Sequence, residues 1–137
     1  MPPPKRAVIA ITSATAPLHD GNPTGLFITE ALHPYQVLTA AGFAVDLVSE
    51  KGTYVEDWLS LQPDFLAGND KQQYEDKNSD FRKKLDNMQP VGSLDRKDYG
   101  IFFASAGHAA LIDYPHAKGL QKIATDVWTS GGVVSAV

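Results

Sequence analysis

The first strongly apolar segment, RAVIAIT at residues 6–12, limits the folds that this chain can adopt. Apolar residues run through it continuously instead of alternating with polar ones, which is typical of a β-strand covered on both faces. Three later segments are also predicted strands: FAVDLVS at 43–49, GIFFAS at 100–105 and VVSAV at 133–137. The last is expected to be buried. A sheet made of such strands needs helices on both sides.

Predicted helices separate these strands. One runs from about Gly25 to Ala41, two short ones cover 70–77 and 79–88, and one has Pro115 in its first turn and ends at Ser130. This alternation predicts an α/β fold with a parallel sheet and right-handed crossovers. Because no helix follows the fourth strand to cover it, we expect residues 1–137 to be the N-terminal portion of a single, larger domain.

Two connecting segments attract attention. Residues 13–25 are predicted to be a loop, with Asp20-Gly21 and Asn22-Pro23 as turn residues. Residues 50–69 form a connector that is too long and too aromatic for a plain link, and such segments often carry function.

Composition and charge exclude several classes of protein. The formal net charge is −4, and basic residues are scattered apart from Lys5-Arg6 and Arg82-Lys83-Lys84, so no nucleic-acid partner is expected. The second group is interpreted as the solvated face of a helix. No apolar run approaches the ~20 residues that cross a bilayer, and the N-terminus lacks a signal-peptide layout. Since the 137 residues contain no cysteine, no disulfide framework is present, and we expect a cytoplasmic location without membrane contact.

Glu30 occupies an unusual position on the first predicted helix. On a helical wheel it is the only charged residue within the apolar arc. The arc contains Leu26, Phe27, Ala31, Pro34, Tyr35, Val37, Leu38 and Ala41. An ionised carboxylate among apolar neighbours is costly unless paired, so the pattern predicts a partner or a raised pKa, as in general acid–base catalysis. Alternatively, Glu30 lies at a rim and bonds to backbone or to a basic side chain.

The segment SAGHA at 105–109 follows the third predicted strand, where open α/β sheets bind ligands. Gly107 allows a positive φ and leaves its N–H free to stabilise an oxyanion. His108 then lines the pocket as a titratable group. A plain turn is the alternative interpretation.

No metal or nucleotide cofactor is predicted. His19, His33 and His116 show no ligand spacing with one another or with carboxylates. The segment GNPTG lacks the Lys-Ser/Thr of a phosphate-binding loop, and no Gly-x-Gly-x-x-Gly follows the first strand.

Five longer segments follow, in order and nearly without gaps, the pattern of a known family. They are TGLFITEALHPYQVL, GFAVDLVSE, PDFLAGND, FFASAGHAALIDYPHAKGLQKIA and GGVVSAV. These segments resemble the ThiJ/PfpI superfamily, and most of all its fungal glutathione-independent glyoxalases (glyoxalase III), also described as heat-shock chaperones. The resemblance implies a flavodoxin-like parallel sheet sandwiched by helices, a small-molecule substrate such as a 2-oxoaldehyde, no cofactor, and a homodimer.

The resemblance also implies a catalytic site. Glu30 matches the family's glutamate that hydrogen-bonds the nucleophilic thiol and shuttles protons. Gly107 matches the glycine whose N–H helps to form the oxyanion hole, His108 matches the adjacent histidine, and Ala109 stands beside them in this oxyanion and substrate-binding segment. In the family the last strand leads into a Cys-His-Gly nucleophile elbow, so we expect a catalytic cysteine directly after Val137. The implied reaction converts methylglyoxal to D-lactate through a cysteine hemithioacetal.

Four positions around the expected pocket depart from the family's pattern. Ala14 replaces an aromatic residue, Glu56 a tryptophan, Leu59 a histidine and Ala109 a glycine. They leave open another cysteine-dependent ThiJ/PfpI enzyme with a remodelled pocket, such as an isocyanide hydratase or a hydrolase. A stress chaperone or redox sensor is also open, supported by an aromatic loop at 54–58 that is expected to be exposed.

Overall fold

The computed structural model of the protein describes residues 2–94 and 98–137. The strands are β1 (Arg6–Ile11), β2 (Ala16–His19), β3 (Asn22–Thr24), β4 (Ala44–Ser49), β5 (Ile101–Ala104) and β6 (Val133–Ala136). The α-helices are α1 (Ile28–Ala40), α2 (Gly68–Glu75), α3 (Asp80–Asp86), α4 (Ala110–Asp113) and α5 (Lys118–Thr129). None of the helices in these ranges combines the length and the hydropathy that crossing a membrane requires.

Strand β1 lies inside a four-stranded parallel sheet with the order β4-β1-β5-β6. Ile9 of β1 is in register with Leu47 on one side and with Phe103 on the other. Counted along the chain, the parallel strands follow the order 2-1-3-4, which is that of flavodoxin-like sheets. The predicted fold class is therefore confirmed.

The residues of β1 alternate between two hydrophobic cores. One core contains Ala7, Ile9 and Ile11 and is completed by residues of α1, α2 and α3, such as Leu32 and Phe81. The other contains Val8, Ala10, Phe102 and, from α5, Leu120 and Val127. Helices thus cover both faces of β1, as its continuous apolar run predicts.

Helix α1 differs from the predicted one in its start and in its buried face. It begins at Ile28, because Leu26 and Phe27 are hydrogen-bonded to other segments and Phe27 has an extended backbone. Two members of the predicted apolar arc are exposed, Val37 at 67% and Ala41, whereas Thr29, outside that arc, is buried. The packing partners of the helix, rather than its own periodicity, decide which face is covered.

The segment predicted to be a loop before α1 contains the antiparallel hairpin β2–β3. Asp20-Gly21 forms its turn, with φ values of 52° and 89°, the positive values that tight hairpin turns require. Asn22-Pro23 belongs to β3 and not to the turn, so that prediction was wrong.

Two predictions in the second half of the chain also need correction. The helix predicted from Pro115 is interrupted: Pro115 lies in a short 3₁₀ turn, and α5 starts at Lys118. Strand β6, predicted to be buried, leaves Val133 and Val134 exposed by 55% and 39%. Among the residues described, β5 is the only strand that pairs with β6, so the other edge of β6 is unpaired.

The region between β4 and β5 follows the prediction more closely. The connector after β4 is irregular apart from a 3₁₀ turn at Leu59–Leu61. The two short helices are present as α2 and α3, and Ser79 begins the second, since its hydroxyl accepts the N–H of Arg82 at 3.2 Å.

Candidate active site

Three chain segments meet through backbone hydrogen bonds beside the ends of β1 and β5. The N–H of Leu26 donates to the carbonyl of Val55 at 2.7 Å, and the N–H of Asp57 donates to the carbonyl of Leu26 at 2.9 Å. On the other side, the N–H of Phe27 donates to the carbonyl of Ala106 at 3.1 Å. The stretch before α1 therefore joins the connector after β4 to the loop after β5.

Two glycines make this close approach possible. A Cβ atom on Gly25 would lie 2.0 Å from the carbonyl oxygen of Val55, and one on Gly107 would lie 2.0 Å from the carbonyl oxygen of Gly25. Gly107 also has a φ of 151°, a backbone conformation that residues with a side chain rarely adopt. Larger residues at either position would push the three backbones apart.

Side chains that follow the loop after β5 tie it to the end of β1. Asp113 accepts the Thr12 hydroxyl at 2.7 Å and the N–H of Ser13 at 2.8 Å. The Tyr114 hydroxyl donates to the carbonyl of Ser105 at 2.5 Å, and burial raises the pKa of that phenol. The backbone of the loop is thereby held at a fixed place over the sheet edge.

Glu30 lies in the first turn of α1 and is half-buried. Its Oε2 atom is buried and accepts no hydrogen bond from residues 2–94 or 98–137. Burial raises the pKa of Glu30; a hydrogen bond with the backbone of Ala106 and the charge of His108 act against this, and the charge of Asp57 adds to it. The structure thus combines the two sequence interpretations, a raised pKa and a contact with backbone.

The four predicted site residues come together around this loop. Glu30 interacts electrostatically with His108, which is exposed. The N–H of Gly107 meets no acceptor in the described ranges, and Ala109 is fully buried directly before α4. The arrangement offers an acid, a free N–H donor and an imidazole at one edge of the sheet. Their catalytic roles stay predictions.

Asp57, which the sequence analysis did not single out, is fully buried beside them. Its Oδ1 accepts the N–H groups of Leu59 at 2.9 Å and Ser60 at 3.3 Å. Its Oδ2 accepts the Thr24 hydroxyl at 2.7 Å and lies 3.3 Å from Nε2 of His19. Burial alone would raise the pKa of Asp57, but the bonds to Thr24, His19 and Ser60 outweigh it, so the pKa lies below its usual value.

His19 completes the rim of the site. Its ring centre lies 6.2 Å from that of Trp58 and 6.1 Å from that of His108. The only sequence signal for this placement was the Asp20-Gly21 turn, which is typical of a hairpin that brings its strand ends together. Of the other histidines considered, His33 pairs with Asp70 at 2.8 Å on the surface.

The departure at Glu56, in the connector after β4, is accommodated by a neighbouring side chain. The carboxylate of Glu56 accepts a short hydrogen bond from the Tyr74 hydroxyl. Trp58 is 39% exposed, as expected for the aromatic loop, but Tyr54 is partly buried and donates to Asp86 at 3.1 Å. The expected exposure is therefore confirmed for Trp58 and wrong for Tyr54.

Known proteins resemble this chain over nearly all of its length. Glyoxalase 3 of Candida albicans is 49% identical over 133 residues, which cover 96% of this chain and 56% of that protein. The glutathione-independent glyoxalase HSP31 of Saccharomyces cerevisiae is 47% identical over 135 residues, which cover 98% and 57%. The crystal structure of glyoxalase III from Candida albicans matches with a TM-score of 0.92 and 48% identity, covering 96% of this chain and 55% of that one. No family model matches. The chain spans somewhat more than half the length of these relatives.

The steric role of Gly25 leads to a first prediction. Gly25→Ala is expected to lower the free energy of unfolding by about 1–3 kcal/mol or more, because the obstructing atom is a backbone oxygen that cannot move aside. Gly92→Ala is the control, since a Cβ there meets no atom within 4 Å. Urea unfolding of the purified protein measures both, and equal losses would contradict the close-approach explanation.

The environment of Glu30 leads to a second prediction. Because burial raises its pKa in the folded state, the ionised form is disfavoured there, and stability is lost as the pH rises through that pKa. Glu30→Gln should therefore match the wild type in stability near pH 4 and exceed it at pH 7. Glu75→Gln, at an exposed position, is the control and should change little at either pH. A Glu30→Gln protein that is less stable than the wild type at pH 7 would contradict the assignment.

Proposed function

Because the chain belongs to the family of the glutathione-independent glyoxalases, we propose that the protein converts methylglyoxal to D-lactate without glutathione. The observation that carries the proposal is the place of Glu30: a half-buried carboxylate with a raised pKa and one unpartnered oxygen, next to the loop that contains Gly107 and His108. Its chemistry suits proton transfer near neutral pH. The 137 residues span little more than half of the related glyoxalases, so the activity is proposed for the whole protein.

The proposed nucleophile is a cysteine directly after Val137. Strand β6 runs parallel to β5 with Ala136 in register with Ala104, and the N–H of Val137 donates to the carbonyl of Ala104 at 3.2 Å. Neighbouring parallel strands end at the same edge of a sheet, so a residue after Val137 would emerge beside the loop that begins at Ser105. That edge also holds Glu30, which supports a thiol within reach of the carboxylate.

The proposed reaction is an internal oxidation and reduction of the substrate. The thiolate sulfur adds to the aldehyde carbon of methylglyoxal, and the carbonyl oxygen takes up a proton to give a hemithioacetal. The Glu30 carboxylate removes the hydrogen of that carbon as a proton, and an enediol forms. In forming the enediol, the ketone oxygen takes up a proton. Glu30 then returns its proton to the neighbouring carbon while the hydroxyl of the first carbon loses its proton, which leaves a thioester of lactate on the cysteine. Water cleaves the thioester and releases D-lactate and the thiol, so no external oxidant or reductant is needed.

The loop after β5 supplies the remaining groups in this scheme. The N–H of Gly107, which lacks an acceptor in the described part of the chain, stabilises the negative oxygen that develops when the thiolate adds. The exposed His108 bounds the substrate on the same side, whereas the fully buried Ala109 supports the backbone of the loop from below. We further propose, as the resemblance to the family implies, that the protein acts as a homodimer in the cytosol.

Loss of the proton shuttle tests the proposal. Purified wild-type protein incubated with methylglyoxal and no glutathione should form D-lactate, measured with a D-specific lactate assay. Glu30→Gln should lower kcat by at least about 100-fold, the usual contribution of a general acid–base group. Glu75→Gln serves as the control and should keep full activity. No D-lactate from the wild type, or unchanged turnover by Glu30→Gln, would overturn the proposal.

Thiol labelling tests the nucleophile separately. Iodoacetamide should modify one fast-reacting cysteine, located by peptide mapping to the position after Val137, and turnover should fall in proportion to the labelling. Methylglyoxal present during labelling should slow the modification. A labelled protein that keeps its activity would rule out this cysteine as the nucleophile.

A further inference from the structure

Three side chains that can ligate a metal ion meet at the rim of the site. His19, Asp57 and His108 each offer one donor atom, and these atoms lie within 4.8 Å of one another. Within residues 2–94 and 98–137, this is the one group of three or more His, Cys, Asp or Glu side chains with such a placement. The residues come from the β2–β3 hairpin, the connector after β4 and the loop after β5, so no spacing in the sequence announces the cluster.

The distance between two of these donors fits a shared ion. Nε2 of His19 lies 3.2 Å from Oδ1 and 3.3 Å from Oδ2 of Asp57, which is long for a charged hydrogen bond. Two ligands at about 2.0–2.1 Å from a tetrahedral zinc ion are separated by roughly 3.3–3.4 Å. His108 is exposed, so a rotamer change brings its ring nitrogen the remaining roughly 1–1.5 Å without disturbing the core.

Hydrogen bonds from neighbouring groups orient the carboxylate of Asp57, as is common for carboxylates that bind metal ions. The Oδ2 atom of Asp57 accepts the Thr24 hydroxyl at 2.7 Å, an outer contact of the kind that orients a ligating carboxylate. The Oδ1 atom already accepts two backbone N–H groups, so Oδ2 is the oxygen with capacity left for an ion. Glu30 also lies close enough to interact electrostatically with both His108 and Asp57.

We propose that His19, Asp57 and His108 bind a divalent transition-metal ion such as Zn²⁺ at the rim of the site. Two imidazoles and one carboxylate suit zinc and its neighbours, whereas Mg²⁺ and Ca²⁺ prefer sites made of oxygen atoms. Three protein ligands leave a fourth position, which faces solvent beside His108 and accepts water. Binding of the ion does not depend on the reaction proposed above.

Cobalt(II) substitution tests the site through a readout other than activity. Titration of the purified protein with Co²⁺ should produce the visible absorption of a tetrahedral complex, which Zn²⁺ removes at one equivalent and Mg²⁺ does not. His19→Gln and His108→Gln should each weaken cobalt binding by at least about 100-fold. Thr24→Val keeps the shape of the side chain but removes the outer contact, and should weaken binding by about 10–100-fold.

His33→Gln is the matched control. His33 pairs with Asp70 at 2.8 Å but belongs to no group of three donors in the described residues, so this variant should bind cobalt like the wild type. Circular dichroism establishes that each variant is folded before titration. The proposal would be overturned if the wild type showed no saturable cobalt binding. It would also be overturned if folded His19→Gln and His108→Gln bound cobalt with the affinity of the wild type.

Discussion

The contact of three backbones through Gly25 and Gly107 fixes the geometry of the whole site. Because both positions lack a Cβ, the stretch before α1 fits between the connector after β4 and the loop after β5, with carbonyl oxygens where side chains would otherwise be. The hydrogen bonds of Leu26 and Phe27 then set the point at which α1 begins, and the first turn of α1 carries Glu30. The position of the carboxylate therefore follows from a steric constraint at Gly25, five residues earlier in the chain.

The site holds two carboxylates whose surroundings act in opposite directions. Burial, with few bonds to compensate, raises the pKa of Glu30, whereas four donors around the buried Asp57 keep its pKa low. Under the proposed function, Glu30 would exchange protons near neutral pH while Asp57 would stay ionised. The charged Asp57 also disfavours ionisation of Glu30, so Asp57 contributes to the raised pKa of Glu30.

Prediction from the sequence succeeded where the signal was local. The apolar run of β1 predicted cover on both faces, and the position of Gly107 and His108 after a strand predicted their place at the sheet edge. The helical wheel of the first predicted helix singled out Glu30, although the apolar arc on that wheel was partly wrong, since Val37 is exposed. The contact between His19 and Asp57 joins residues 38 positions apart. The periodicity of apolar residues predicts helices and strands, but it does not predict which side chains meet when two loops fold together.

The buried Asp57 joins two separate segments at the rim of the site. One carboxylate holds the 3₁₀ turn through Leu59 and Ser60 and the hairpin through Thr24 and His19. The Asp57 carboxylate therefore joins the two rim segments. As long as Asp57 is kept, we expect a substitution in one segment to leave the position of the other unchanged. The contact that joins the two segments is thereby separate from the side chains that face the solvent at the rim.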